Sequence, residues 1–134
     1  MIRLGIVLAL LASPVAAEVL AAKGARLRVL DKMSGVVSDY DIGVGQAQAV
    51  GRLSVQLDDC RYPSDQPNGE AYAHLTISDA KATAFRGWMV ASSPALSALD
   101  HPRYDVWVLT CDVPASAQPA TSPAATATGT GSGG

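Results

Sequence analysis

Residues 52–60 read RLSVQLDDC, and this stretch decides the class of the fold. From Arg52 to Asp58 polar and apolar side chains alternate without a break, with Leu53, Val55 and Leu57 on one side. A period of two marks a strand with one face in a core and the other in water. Continued strictly, the alternation puts Asp59 inward and Cys60 outward. A bulge or strand end at Asp58-Asp59 is therefore expected, because one extra residue turns Cys60 inward.

The same period recurs on both sides. Arg26 to Asp31 (RLRVLD) alternates, Lys32 to Gly35 reads as a turn, and Val36 to Ile42 runs back as the second arm of a hairpin. In that arm Val36, Tyr40 and Ile42 share one face, and Asp39 and Asp41 the other. Gly43 and Gly45 mark the next turn, residues 46–50 a weak strand, and Gly51 a bulge or bend. After a loop at 61–69, Ala71 to Ser78 sends Ala73, Leu75 and Ile77 inward and Tyr72, His74 and Thr76 outward. Residues 83–91 form a strand interrupted by Gly87. Residues 103–111 (RYDVWVLTC) form the last, with Trp107, Leu109 and Cys111 on one face. Between these two lies a helical turn: Ser93 can cap it, Pro94 suits its first position, Leu96 and Leu99 lie three apart, and Pro102 stops it. The pattern predicts an all-β domain, a small antiparallel sandwich or barrel of six to seven strands with one short helix.

Outside this unit the chain changes character. Arg3, the apolar run Leu4–Ala12, Pro14 and the small residues Val15-Ala16-Ala17 read as a signal peptide, residues 1–17, cut before Glu18. The uncharged run from Leu4 to Ala17 is 14 residues, short of the roughly 20 that span a bilayer. No transmembrane segment is expected after cleavage. From Val113 to Gly134 only Pro, Ala, Ser, Thr and Gly occur besides one Val and one Gln, so residues 113–134 read as a disordered tail. Residues 18–112 are the single β domain. A domain this small buries only about 60–65% of its unfolded surface, so a staple is expected. An even cysteine count in a small exported domain means a disulfide, here Cys60–Cys111, which closes a loop of about 50 residues and adds roughly 4 kcal/mol. A redox-active pair would lie close in sequence, as in Cys-x-x-Cys.

The charge balance narrows the function. Ten Lys and Arg face twelve Asp and Glu, a net −2, and loss of Arg3 on cleavage makes it −3. The signs are mixed and no basic patch points to nucleic acid. Ser92, Ser93, His101 and Asp105 invite a Ser-His-Asp reading, but no Gly-x-Ser-x-Gly elbow is present, and capping and turn roles explain Ser93 and His101. Cys60, His74, His101 and Cys111 could ligate zinc, but their spacing matches no finger or ribbon. Asp39, Asp41, Asp58 and Asp59 lack the order of a calcium loop and read as a solvated face. No catalytic residue, metal or cofactor is assigned. Trp107 reads as core, and Trp88 as core beside a bend at Gly87 that brings it near the surface. The segment Ser92–Trp107 reads as a rigid loop, and Trp88, Ser92, Ser93, His101, Tyr104 and Asp105 form the expected interaction surface.

The string Phe85-Arg86-Gly87-Trp88-Met89, Ser92-Ser93-Pro94, His101-Pro102 and Tyr104-Asp105-Val106-Trp107 resembles a family of alphaproteobacterial envelope proteins, DUF2155. Leu30-Asp31-Lys32 with Gly35, Val44-Gly45, Gly51-x-Leu53 and Cys60 extend the resemblance over residues 25–111. Val90 stands where the pattern has an aromatic, and fewer prolines follow Cys60. The resemblance implies export and a two-cysteine β domain, and it implies no activity. It also implies a gene neighbourhood shared with an accessory subunit of respiratory NADH dehydrogenase. Three function classes follow. The first is a non-enzymatic periplasmic module that binds a protein or envelope component. The others are an accessory or assembly factor of a respiratory membrane complex, and a hydrolase using His101.

Overall fold

The structure, a computed structural model, describes residues 13–14 and 17–114. The expected signal peptide and tail lie outside the described residues except at those margins. Eight strands form: β1 (Val19–Ala21), β2 (Gly24–Asp31), β3 (Val37–Gly43), β4 (Ala47–Val50), β5 (Leu53–Pro63), β6 (Tyr72–Asp79), β7 (Ala82–Val90) and β8 (Tyr104–Cys111). The expected six to seven strands gain β1, whose three exposed residues carry no alternation to read. All pairings are antiparallel. One sheet runs β5-β6-β7, with β1 and β4 end to end along the other edge of β5, and the second runs β3-β2-β8. β2 packs over β5, and β8 over β6 and β7, so the two sheets make a sandwich. Leu27 and Val108 from one sheet meet Val55, Leu57, Leu75, Ile77 and Met89 from the other, all essentially inaccessible to water.

Two bulges aim the cysteines. On β5 the register steps from Leu57↔Leu75 to Asp59↔His74, leaving Asp58 as the extra residue and turning Cys60 inward as expected. On β8 it steps from Leu27↔Val108 to Arg26↔Thr110, with Leu109 as the extra residue. Cys111 thereby joins Val106 and Val108 on the inner face, and not Trp107 and Leu109. Both cysteines are buried and bonded to each other, with Cα atoms 5.9 Å apart, so the disulfide ties β5 of one sheet to β8 of the other. Trp107 is a correction to the expected core: it lies half-buried on the outer side of β8. Val113, at the margin of the expected tail, is buried at 4% exposure.

The expected helix after β7 does not form. Residues 91–103 hold turns only, with Leu96 N–H donating to Ser93 O. Leu99 is buried while Leu96 is 78% exposed. With one apolar anchor there is no helical face to bury, and a single turn does not repay nucleation. The segment is a strap instead. It leaves β7 beside Ala71 and reaches His101 beside Asp79 at the other end of β6, so it runs the length of the sandwich between the outer strands of the two sheets. A loop laid along open edges shields them from pairing with other chains.

The β6–β7 hairpin turns through Ala80-Lys81, at φ 46° and 74°. Two-residue hairpins of this kind favour Asn-Gly, because other side chains strain at positive φ. Replacing Ala80-Lys81 by Asn-Gly should stabilise the domain by ~1–2 kcal/mol. An unchanged melting temperature would show that the turn carries no strain.

Asp31 closes the β2–β3 hairpin. Its Oδ1 accepts the Met33 and Ser34 N–H groups, and both oxygens accept from the Arg103 guanidinium, the closest contact being 2.9 Å. Arg103 beside it is the main reason its carboxyl is held down to about 2. A depressed carboxylate stabilises the fold above its unfolded pKa, near 4, and that contribution disappears as pH falls through the folded value. Stability should therefore drop between pH 4 and pH 2, and Asp31→Asn should flatten that part of the profile in acid titrations followed by circular dichroism.

Candidate functional site

The outer face of the five-stranded sheet collects polar and aromatic side chains that alternation expels from the core. Register sets them in cross-strand rows: Gln56–Thr76–Arg86, Asp59–His74–Trp88 and Arg61–Tyr72–Val90. The β5 bulge adds Asp58 to the middle row. Asp58 Oδ2 accepts from His74 Nδ1 at 2.8 Å and Thr76 Oγ1 at 2.7 Å, and its Oδ1 accepts from Gln56 Nε2 at 3.0 Å. Burial pushes the Asp58 carboxyl up, but the Thr76 and His74 hydrogen bonds outweigh it and hold the group below its ordinary range. Asp59 pairs with Arg61 at 2.8 Å. Because a carboxylate only accepts, Nδ1 of His74 carries the proton in this bond.

The His74 ring meets Trp88 edge to face, centroids 5.2 Å apart. Trp88 is 43% exposed, the most exposed aromatic side chain among the described residues. With Val19, Arg61 and Tyr72 it lines a shallow groove of about 330 Å³ across the sheet. An aspartate-oriented imidazole is part of a catalytic triad. Here the neighbouring hydroxyl, Thr76 Oγ1, donates to the same aspartate oxygen and so helps to fix the carboxylate. The hydrogen bonds hold these side chains in fixed positions beside an exposed ring.

Of the residues expected to form the interaction surface, only Trp88 lies on this face. Ser92 lies at the start of the strap, where its N–H and Oγ donate to Glu70. Ser93 makes turn hydrogen bonds to Val90 and Leu96. His101 and Tyr104 are buried, at 8% and 5% exposure, and so are not the surface residues expected. His101 Nε2 donates to Asp79 Oδ2 at 3.0 Å, and its Nδ1 accepts the backbone N–H groups of Arg103 and Tyr104. Asp105 pairs with Lys32, whose Nζ also donates to His101 O. The structure does not bring Ser92, His101 and Asp105 together as a triad: each bonds elsewhere, and both His101 nitrogens are engaged. The zinc set is dispersed too. Cys60 and Cys111 bond to each other, His74 faces outward, and His101 sits at the far end of β6. Residues at the end of the sandwich near Asp79 instead form a knot that pins the strap.

Sequence reasoning misses Asp58, Asp59, Arg61, Tyr72 and His74 as a group. Alternation does place Tyr72, His74 and Thr76 outward, but only the register shows which residues of β5 and β7 stand beside them.

Fold and site together define a small disulfide-bridged β-sandwich with one polar and aromatic outer face. No helix among the described residues is long and apolar enough to cross a membrane. The chain belongs to the DUF2155 family, described as an uncharacterized protein conserved in bacteria, whose model matches residues 25–111. It is similar to Uncharacterized protein RP359 of Rickettsia prowazekii (strain Madrid E), 28% identical over 91 residues, 64% of this chain. The chain spans 59% of the length of that relative. No solved structure matches.

Proposed function

We propose that this protein is an exported, non-enzymatic binding module of the bacterial cell envelope, working in the periplasm. The observation that carries the binding role is Trp88, a large apolar ring kept in water on a rigid strand and braced by His74 and Asp58. A tryptophan presented on a rigid strand beside a shallow apolar groove is a surface that a ligand can cover. Export is supported by the signal-like first 17 residues and by a buried disulfide, which persists in oxidising compartments.

The test is co-sedimentation of the purified domain with washed envelope fragments. Wild-type protein should be retained, and Trp88→Ala should be retained several-fold less while melting within a few degrees of wild type. Equal retention of the two would remove Trp88 from any binding role.

A further inference from the structure

We propose that the outer face of the five-stranded sheet binds a neutral oligosaccharide, with one or two sugar rings laid against Trp88 and Tyr72. This deepens the binding role above and rests on it. Three observations select the ligand class. The first is size. The three rows span β5 to β7, strands ~4.8 Å apart, with rows ~7 Å apart along each strand. That footprint is a few hundred Å², below the roughly 800 Å² per partner of a stable protein interface. The groove of about 330 Å³ lies at the small-ligand end of the range of binding sites.

The second is charge. Asp58 and Asp59 are balanced by Arg61 and Arg86, and Arg61 is already neutralised by Asp59. Such a face offers no net attraction to an anion or a cation. The third is the kind of polar group displayed. On the same face, at and beyond the edge of the groove, stand hydrogen-bonded donor–acceptor pairs: Arg61 with Asp59, and Gln56, Thr76 and His74 with Asp58. Adjacent sugar hydroxyls each donate and accept, so they match paired groups that do the same. The C–H face of a sugar ring is apolar and matches the exposed indole. Arg61 and Tyr72 border the groove and would fix the ring's orientation.

The experiment titrates the Trp107→Phe protein, in which Trp88 is the sole tryptophan among residues 18–134, with chitotetraose, cellotetraose and maltotetraose. At least one should change the fluorescence of Trp88 saturably. Calorimetry with the same sugar should show affinity unchanged between low and high salt, and weaker by at least ~tenfold in Trp88→Ala. Asp59→Ala should weaken it too, which separates a polar contact from a general loss of the aromatic. Failure of all three sugars, or binding that survives Trp88→Ala in protein that melts normally, overturns the proposal. Preference for an anionic oligosaccharide with steep salt dependence also overturns it. If no sugar binds but envelope retention still needs Trp88, the binding role stands and the saccharide is wrong. If retention is also indifferent to Trp88, both fail.

Discussion

Replacing both Cys60 and Cys111 by Ala is expected to lower the unfolding free energy by ~4 kcal/mol, the loop-closure term for a bridge spanning 51 residues. That is a large part of the 5–15 kcal/mol or so that separates folded from unfolded domains. The bridge also joins β5 to β8, strands in different sheets that share no backbone hydrogen bonds. Without it, only side-chain packing and the connecting loops hold the sheets together. Urea unfolding of wild type and variant, with and without reductant, measures the difference. Reductant should shift the wild type and leave the variant unchanged. A loss below 1 kcal/mol or so would mean that packing alone sets the stability.

Gly51→Ala is expected to be unusually costly for the addition of a single methyl group. Gly51 sits at φ +56°, and a Cβ there would lie 2.9 Å from Tyr104 Cζ and far inside contact distance of its hydroxyl oxygen. Tyr104 cannot swing away easily. It is buried, its ring lies 5.5 Å from that of His101, and the Arg103 guanidinium sits over its face. The positive φ alone costs ~1–2 kcal/mol, and overpacking a tight site adds ~1–3 kcal/mol. Gly45→Ala separates the two terms, because Gly45 has φ +84° and open space around it. It should lose only the backbone part. The double variant Gly51→Ala, Tyr104→Phe should recover part of the clash and none of the strain. Equal melting temperatures for Gly51→Ala and Gly45→Ala would show that Tyr104 yields without cost.

Part of the candidate site is legible in the amino-acid sequence. Alternation in residues 71–78 sends Tyr72, His74 and Thr76 outward, and the fold keeps them there. Polar residue type misleads at His101 and Tyr104. Both carry polar tips, yet both are buried, because Asp79, Lys32 and the backbone of residues 103 and 104 receive His101 from other parts of the chain. Burial of a polar side chain depends on partners distant in sequence, and the local pattern does not record them.

The sequence by itself determined that the domain is all-β, where most strands run and which face of each is apolar. Those properties follow from a two-residue period, which any short window displays. It also determined the bulge at Asp58, because RLSVQLDDC cannot keep both Leu57 and Cys60 inside without one. The matching bulge at Leu109 was hidden, since Trp107, Leu109 and Cys111 alternate acceptably as written. Only the tertiary structure decided it: Cys60 waits on the opposite sheet, and Cys111 must leave the outer face to meet it. The same holds for Asp58, His74 and Trp88, which lie on three strands and become neighbours through register alone. Register is a property of strand pairs, fixed by packing and by turns elsewhere, so no single strand contains it.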